Sequence, residues 1–164
     1  MFCVNKKSGS HGCGQTLRGI LTSPYDAVGR LVVAVEPIKF EGLLADEILA
    51  LPVADVDELV FNGETVVVNI GSAQVLGQFS IRGEAMVIEL AQIDGGGEGV
   101  LPAIGSLASK LARQRNISEI EWRVHAVSCA QPNLKLRKML VRRGFEIREL
   151  EGVGEIYHQI SSVE

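Results

Sequence analysis

Hydrophobic and polar positions change period several times along the chain. Between positions 58 and 93 short apolar runs alternate with turn dipeptides: "ELVF", Asn62-Gly63, "ETVVVNI", Gly71-Ser72, "QVLGQFSI", Arg82-Gly83 and "EAMVIELAQI". Such β-rich runs separated by turn signals predict an antiparallel meander. From Gly99 the period lengthens. Leu101, Ile104, Leu107, Ala108 and Leu111 share one helical stripe, Ser106, Lys110 and Arg113 fall off it, and Pro102 is tolerable only in a first turn. A helix over 100–114 follows. "ISEIEWRVHAVS" returns to period two, with Ile120, Trp122, Val124 and Ala126 on one side and Glu121, Arg123 and His125 on the other. "PNLKLRKMLVRRGF" then predicts a short helix with Asn133 at its N-cap, Leu136, Met139 and Leu140 on its apolar stripe and Gly144 at its left-handed end. "FEIREL" and "GEIYHQI" close the chain as a hairpin.

Upstream, "RLVVAV" at 30–35 predicts a strand, and "KFEGLLADEILALP" predicts one helix through Leu43, Leu44, Ile48 and Leu51 that stops at Pro52. Residues 1–30 hold no period and read as an N-terminal extension, with 31–164 forming a single domain. The strands at 85–93 and 118–127, joined by the 100–114 helix, are expected as parallel neighbours, because a right-handed crossover is the common connection.

Composition narrows the class. A chain of 164 residues suits one domain, and no window approaches the roughly 20 unbroken apolar residues that span a bilayer. The first lysines, Lys6 and Lys7, are followed by no continuous apolar run, so no signal peptide is expected and the location read from the sequence is cytoplasmic. Three cysteines, Cys3, Cys13 and Cys129, give no disulfide framework, and with His11 and His125 they fit no compact zinc spacing. The net charge of −4 is divided: residues 41–100 carry eleven Asp/Glu against Arg82 alone, whereas residues 101–164 carry ten Lys/Arg against seven Glu. The C-terminal part is therefore the expected anion-facing side. A protein partner through acidic residues 41–64 is also compatible with this division. Lys135, Lys138, Arg142 and Arg143 read as a solvated helix face rather than a nucleic-acid surface, since the overall balance is acidic and Trp122 has no neighbouring aromatics.

Chemistry centres on "DGGGEG" at 94–99, where an apolar strand meets a helix. A helix N-terminus offers unpaired N–H groups and partial positive charge, and glycine lets backbone approach a pyrophosphate closely. A plain strand-to-helix turn reads the same way. Glu89, an acid within "MVIELAQI", is a candidate general base, because a carboxylate in such a run is costly unless solvated or paired; its alternative is the solvent side of a half-exposed strand. Lys110, Arg113 and Arg115 are candidates for a ribose phosphate or for a solvated helix face.

The order glycine loop, helix, strand, Asn-initiated helix ending in Gly-Phe and terminal strand pair resembles the GNAT superfamily of acyl-CoA N-acyltransferases. "DGGGEG" and "PNLKLRKMLVRRGF" carry the likeness, which extends over about residues 64–160. It implies a GNAT-like α+β fold: a mixed, mostly antiparallel central sheet flanked by helices, with a parallel pair around the glycine-loop helix. It further implies acetyl-CoA as co-substrate, an amine of a small molecule or protein as acceptor, and a cofactor site at Asp94, Gly95, Gly96, Gly97, Glu98, Gly99 and Asn133. Gly97 and Gly99 match the family's glycine spacing, while Asp94 stands where the family usually has Gln or Arg. The Tyr that commonly protonates the leaving thiolate is replaced by Leu140, so Tyr157 and Cys129, with Ser128, are the substitutes beside Glu89. The departures at Asp94 and Leu140 keep a second expectation open: a GNAT-like module without catalysis that binds or neutralises a partner.

Overall fold

A computed structural model describes residues 37–95, 99–128 and 133–163. The expected extension 1–30, the strand at 30–35, and Gly96, Gly97, Glu98 and Cys129 lie outside the described residues.

The alternating apolar runs pair as expected. β3 (Thr65–Ile70), β4 (Ala73–Arg82) and β5 (Ala85–Asp94) form an antiparallel meander, with Val66, Val68, Val75, Phe79, Met86, Ile88 and Leu90 buried. α3 (Val100–Gln114) crosses over to β6 (Glu119–Val124), which pairs parallel with β5 from Ala85↔Glu119 to Leu90↔Val124. All five residues of the predicted α3 stripe are buried, and Gly105 on this helix lies against the Trp122 ring. α4 (Leu134–Arg142) leads to the closing hairpin of β7 (Glu146–Leu150) and β8 (Gly154–Ser162), and β8 inserts between β6 and β7. With β1 (Ile38–Phe40) and β2 (Leu43–Leu44) at the far edge, the sheet runs β2-β1-β3-β4-β5-β6-β8-β7. This is a mixed α+β fold with one parallel pair in a mostly antiparallel sheet, the architecture that the GNAT resemblance implies.

Two expectations fail upstream of the meander. The single helix over the "KFEGLLADEILALP" segment is instead the β1–β2 hairpin followed by the short α1 (Ala45–Ala50). Glu41 and Gly42 both take positive φ, 46° and 89°, which turns the chain back before a helix can begin. Only Ile48 of the proposed stripe is fully buried. "ELVF", expected as a strand, ends α2 (Val53–Val60), where Val56 and Val60 sit four residues apart and are both fully buried. A four-residue apolar run cannot separate strand from helix; the preceding Val53 and Val56 extend the helical spacing and decide it.

One buried cluster joins the helices to one sheet face, from Phe40 and Phe79 through Leu107 and Trp122 to Leu140, Phe145 and Tyr157. Arg115 ties the end of α3 to α2: its guanidinium lies 2.7 Å from Asp57, donates to the Val53 carbonyl and stacks 4.8 Å from the centre of the Phe61 ring. Among the described residues no helix is long and apolar enough to cross a membrane.

Candidate functional site

The parallel pairing of β5 and β6 ends at Leu90, whose carbonyl accepts the last bond from the His125 N–H at 2.9 Å. β5 continues to Asp94 beside β4, while the chain after His125 turns toward α4, where Arg137 donates to the carbonyls of Ala126 at 2.8 Å and Val127 at 2.5 Å. The two strands therefore part at this point. A bulge marks the same place: Leu90 pairs with Gly77 and Gln92 with Leu76, so Ala91 is an extra residue on β5. Gly77 makes the bulge possible, because a Cβ there would come within 3.0 Å of the Leu90 side chain and 3.1 Å of the Glu89 carbonyl.

Glu89 stands one residue before the parting. In register it neighbours Arg123 on β6, which neighbours His158 on β8, and all three share the sheet face opposite the buried cluster. Its Oε1 lies 2.7 Å from Nε2 of His125, and its Oε2 lies 3.9 Å from the Arg123 guanidinium. The hydrogen bond from His125 is the main reason that the Glu89 carboxyl titrates below its ordinary value of 4.5; burial opposes this, and the charges of His125, Arg123 and Arg82 add to it. An ionised carboxylate only accepts, so Nε2 of His125 donates this bond. Glu89 is thus the orienting partner, and the imidazole is the group of the pair that can carry a proton to and from a substrate.

Beyond the end of β5 lies a cleft of ≈ 920 Å³ between Ile93 and Gly95 on one side and α4 on the other. Lys135, Arg137, Lys138 and Arg142 contribute to its lining, together with Asn133 and the apolar Leu136, Met139 and Val141. With Arg137 committed to the Ala126 and Val127 carbonyls, the lysines and the apolar side chains of this lining suit a ligand that carries both phosphates and a neutral arm.

The expected cofactor residues divide. Gly95 is required by the fold: its φ is +69°, and a Cβ would meet the Ser72 carbonyl oxygen at 2.6 Å. Gly99 stands at the N-cap of α3, where no side chain caps the helix, and a Cβ there would project into open space with nothing within 4 Å. Since Pro102 has no N–H, the donors left without an intrahelical partner at that end are those of Gly99, Val100 and Leu101. The Asp94 carboxylate accepts from Gln92 at 2.6 Å. Asn133 lines the cleft, and its Oδ1 also caps α4 by accepting from the N–H groups of Lys135 and Leu136, both at 3.1 Å.

Of the expected catalytic residues that are described, Glu89 stands at the parting of the strands. Tyr157 is 5% exposed and pairs with Val124 on the buried face, so the structure does not bring it to Glu89. Leu140 is fully buried. Of the cations named on the 100–115 segment, Arg115 is engaged with α2, and the lysines and arginines that line the cleft come from α4. The sequence places His125 only among zinc-type ligands, yet among the described residues no group of three or more metal-ligating side chains assembles. Its place on the Glu121–Arg123–His125 side of a period-two strand was the available signal; the parallel register that delivers it to Glu89 was not.

No protein-family model matches the chain, and no curated protein matches it. Among solved structures, a Lactobacillus plantarum protein assigned as an N-acetyltransferase aligns over 79% of this chain and 99% of its own, with 11% identity and a TM-score of 0.41, a likeness too slight to bear on activity.

Proposed function

We propose that the chain is an acyl-CoA-dependent N-acyltransferase acting on an amine. One observation carries this reading: a cation-lined cleft opens at the end of the strand that also bears a carboxylate–imidazole pair, at the point where that strand leaves its parallel neighbour. From Glu89 to Ile93 is four residues, about 13 Å at the usual strand rise, so a ligand anchored by its phosphates at α4 can lay an extended arm along β5 toward His125. The glycine loop at 94–99 and the first turn of α3 are the further phosphate contacts in this reading.

The chemistry asks little more of the protein. The amine nitrogen bonds to the thioester carbonyl carbon, the C–S bond breaks, and the amine proton passes to the His125 imidazole while Glu89 steadies the resulting imidazolium. With Leu140 buried at the family's acid position, the thiolate departs unprotonated, which a thiolate can do because it is a far weaker base than an alkoxide.

The competing binding-module reading draws on the acidic stretch 41–64. Several of those acids are committed within the fold: Glu41 accepts from the Val67 N–H at 2.6 Å, Glu47 from the Leu44 N–H at 2.7 Å, and Asp57 pairs with Arg115. The enzyme reading is tested by following release of the free thiol from acetyl-CoA with a panel of primary amines, from polyamines to lysine-containing peptides. Thiol release that depends on amine and falls about 10²–10⁴-fold in His125→Asn is the expected result. Acetyl-CoA that binds without amine-dependent release would favour the module.

A further inference from the structure

β7 ends the sheet on the C-terminal side and pairs with β8, so its outer edge meets no strand among the described residues. Glu146, Ile147, Arg148 and Glu149 are all exposed, Ile147 at 54%. An unpaired edge offers a row of N–H and C=O groups to another chain, and proteins usually blunt it with proline, lysines, a bulge or a very short strand. β7 has none of these. Its sequence "EIREL" holds no proline or lysine, its register with β8 runs unbroken from Glu146↔His158 to Leu150↔Gly154, and five residues is an ordinary strand length. At the opposite end of the sheet, β2 is only two residues long. The charges that β7 carries alternate along one face. Glu146 and Arg148 share the face of His158 and Ile156 and lie 3.4 Å apart, with side chains 72% and 54% exposed, while Ile147 shares the face of Tyr157.

Two copies joined at this edge by a two-fold axis run antiparallel, and the axis must pass through one residue that meets its own copy; an axis between residues would set opposite faces across from each other. That condition leaves few registers. An axis through Glu146, Arg148 or Glu149 sets two like charges directly opposite, and one through Leu150 sets Glu149 against Glu151. An axis through Ile147 avoids every such opposition within β7. There Glu146 faces Arg148 of the second copy, Arg148 faces Glu146 of the second copy, and the two isoleucines meet. Each of these charges then has an opposite sign both along its own strand and across the axis. We propose that β7 is a self-association edge, at which a second copy of this chain pairs antiparallel about Ile147 and extends the sheet from one molecule into the other. The contact uses the same edge of both molecules, so the assembly closes at two copies. It does not depend on the acyltransferase reading.

Sedimentation velocity of the full chain over a range of concentrations tests this. The wild type should pass from monomer to dimer, and no further, as concentration rises. Arg148→Glu sets two glutamate pairs across the axis, and Glu146→Arg sets two arginine pairs; each should weaken association at least about tenfold, because facing like charges are costly. An equimolar mixture of these two variants should recover the dimer, since both pairs across the axis are then again of opposite sign. Neither a general loss of folding nor an interface elsewhere on the molecule predicts that recovery. A wild type that stays monomeric or assembles beyond two copies, single variants that dimerise as well as the wild type, or a mixture that stays monomeric would overturn the inference. Should either charge variant not fold, Ile147→Lys decides, because it sets two lysines together at the axis: loss of the dimer supports the edge, and a retained dimer contradicts it.

Discussion

Glu89 was legible from its own sequence context, because an acid inside an apolar strand demands water or a partner. Its partner was not legible, since His125 is 36 residues away and reaches it only through the parallel register of β5 and β6. The pairing has a consequence for stability. Glu89 titrates below 4.5 because of the His125 hydrogen bond; Glu121 is also lowered, burial raising it but bonds from Arg123 and His158 outweighing that. Folding therefore favours both ionised forms, so their contribution is fully present above the unfolded value and is lost as pH falls through the lower folded values. Urea midpoints should decline as pH drops below 4.5, and less steeply in Glu89→Gln than in the wild type. Parallel curves would mean that the Glu89–His125 bond does not contribute in solution.

Among elements, α3, α4 and the alternating strands read correctly, and the segment from Lys39 to Phe61 did not. The fifteen residues of α3 carry a full apolar stripe, whereas "ELVF" was too brief to betray α2, and the positive φ at Glu41 is a backbone conformation that no glutamate advertises. The Asn133 cap was readable because the side chain type and the following helical period agree. Asn133→Ala should cost about 0.5–2 kcal/mol in chemical denaturation, since two N–H groups lose their acceptor; an unmoved midpoint would place the start of α4 elsewhere. Gly95 and Gly99 could not be told apart by sequence, because the left-handed backbone of Gly95 and its approach to Ser72 are set by the fold. Gly95→Ala should destabilise by about 1 kcal/mol or more, from the left-handed backbone and the clash with the Ser72 carbonyl. Gly99→Ala, with open space around it, should leave the thermal midpoint nearly unchanged, and equal losses at the two sites would refute the distinction.

For the molecule as a whole, the division of charge found in the sequence has a physical counterpart: four C-terminal cations line one cleft. Which cations do so was hidden, because α3 and α4 each carry a basic face and only the tertiary arrangement turns α4 toward the end of β5 while Arg115 of the α3 end is spent on α2. The proposed activity stands or falls on whether this cleft takes the phosphates of an acyl-CoA. Calorimetric titration with acetyl-CoA, comparing the wild type with Lys135→Ala/Lys138→Ala, reads that binding without relying on turnover. Saturable heat for the wild type, weakening as salt rises, and an affinity at least about tenfold lower in the double variant is the result expected, from the loss of charge-assisted contacts to phosphate. No heat for the wild type at millimolar ligand, or the same affinity in both proteins, would refute it.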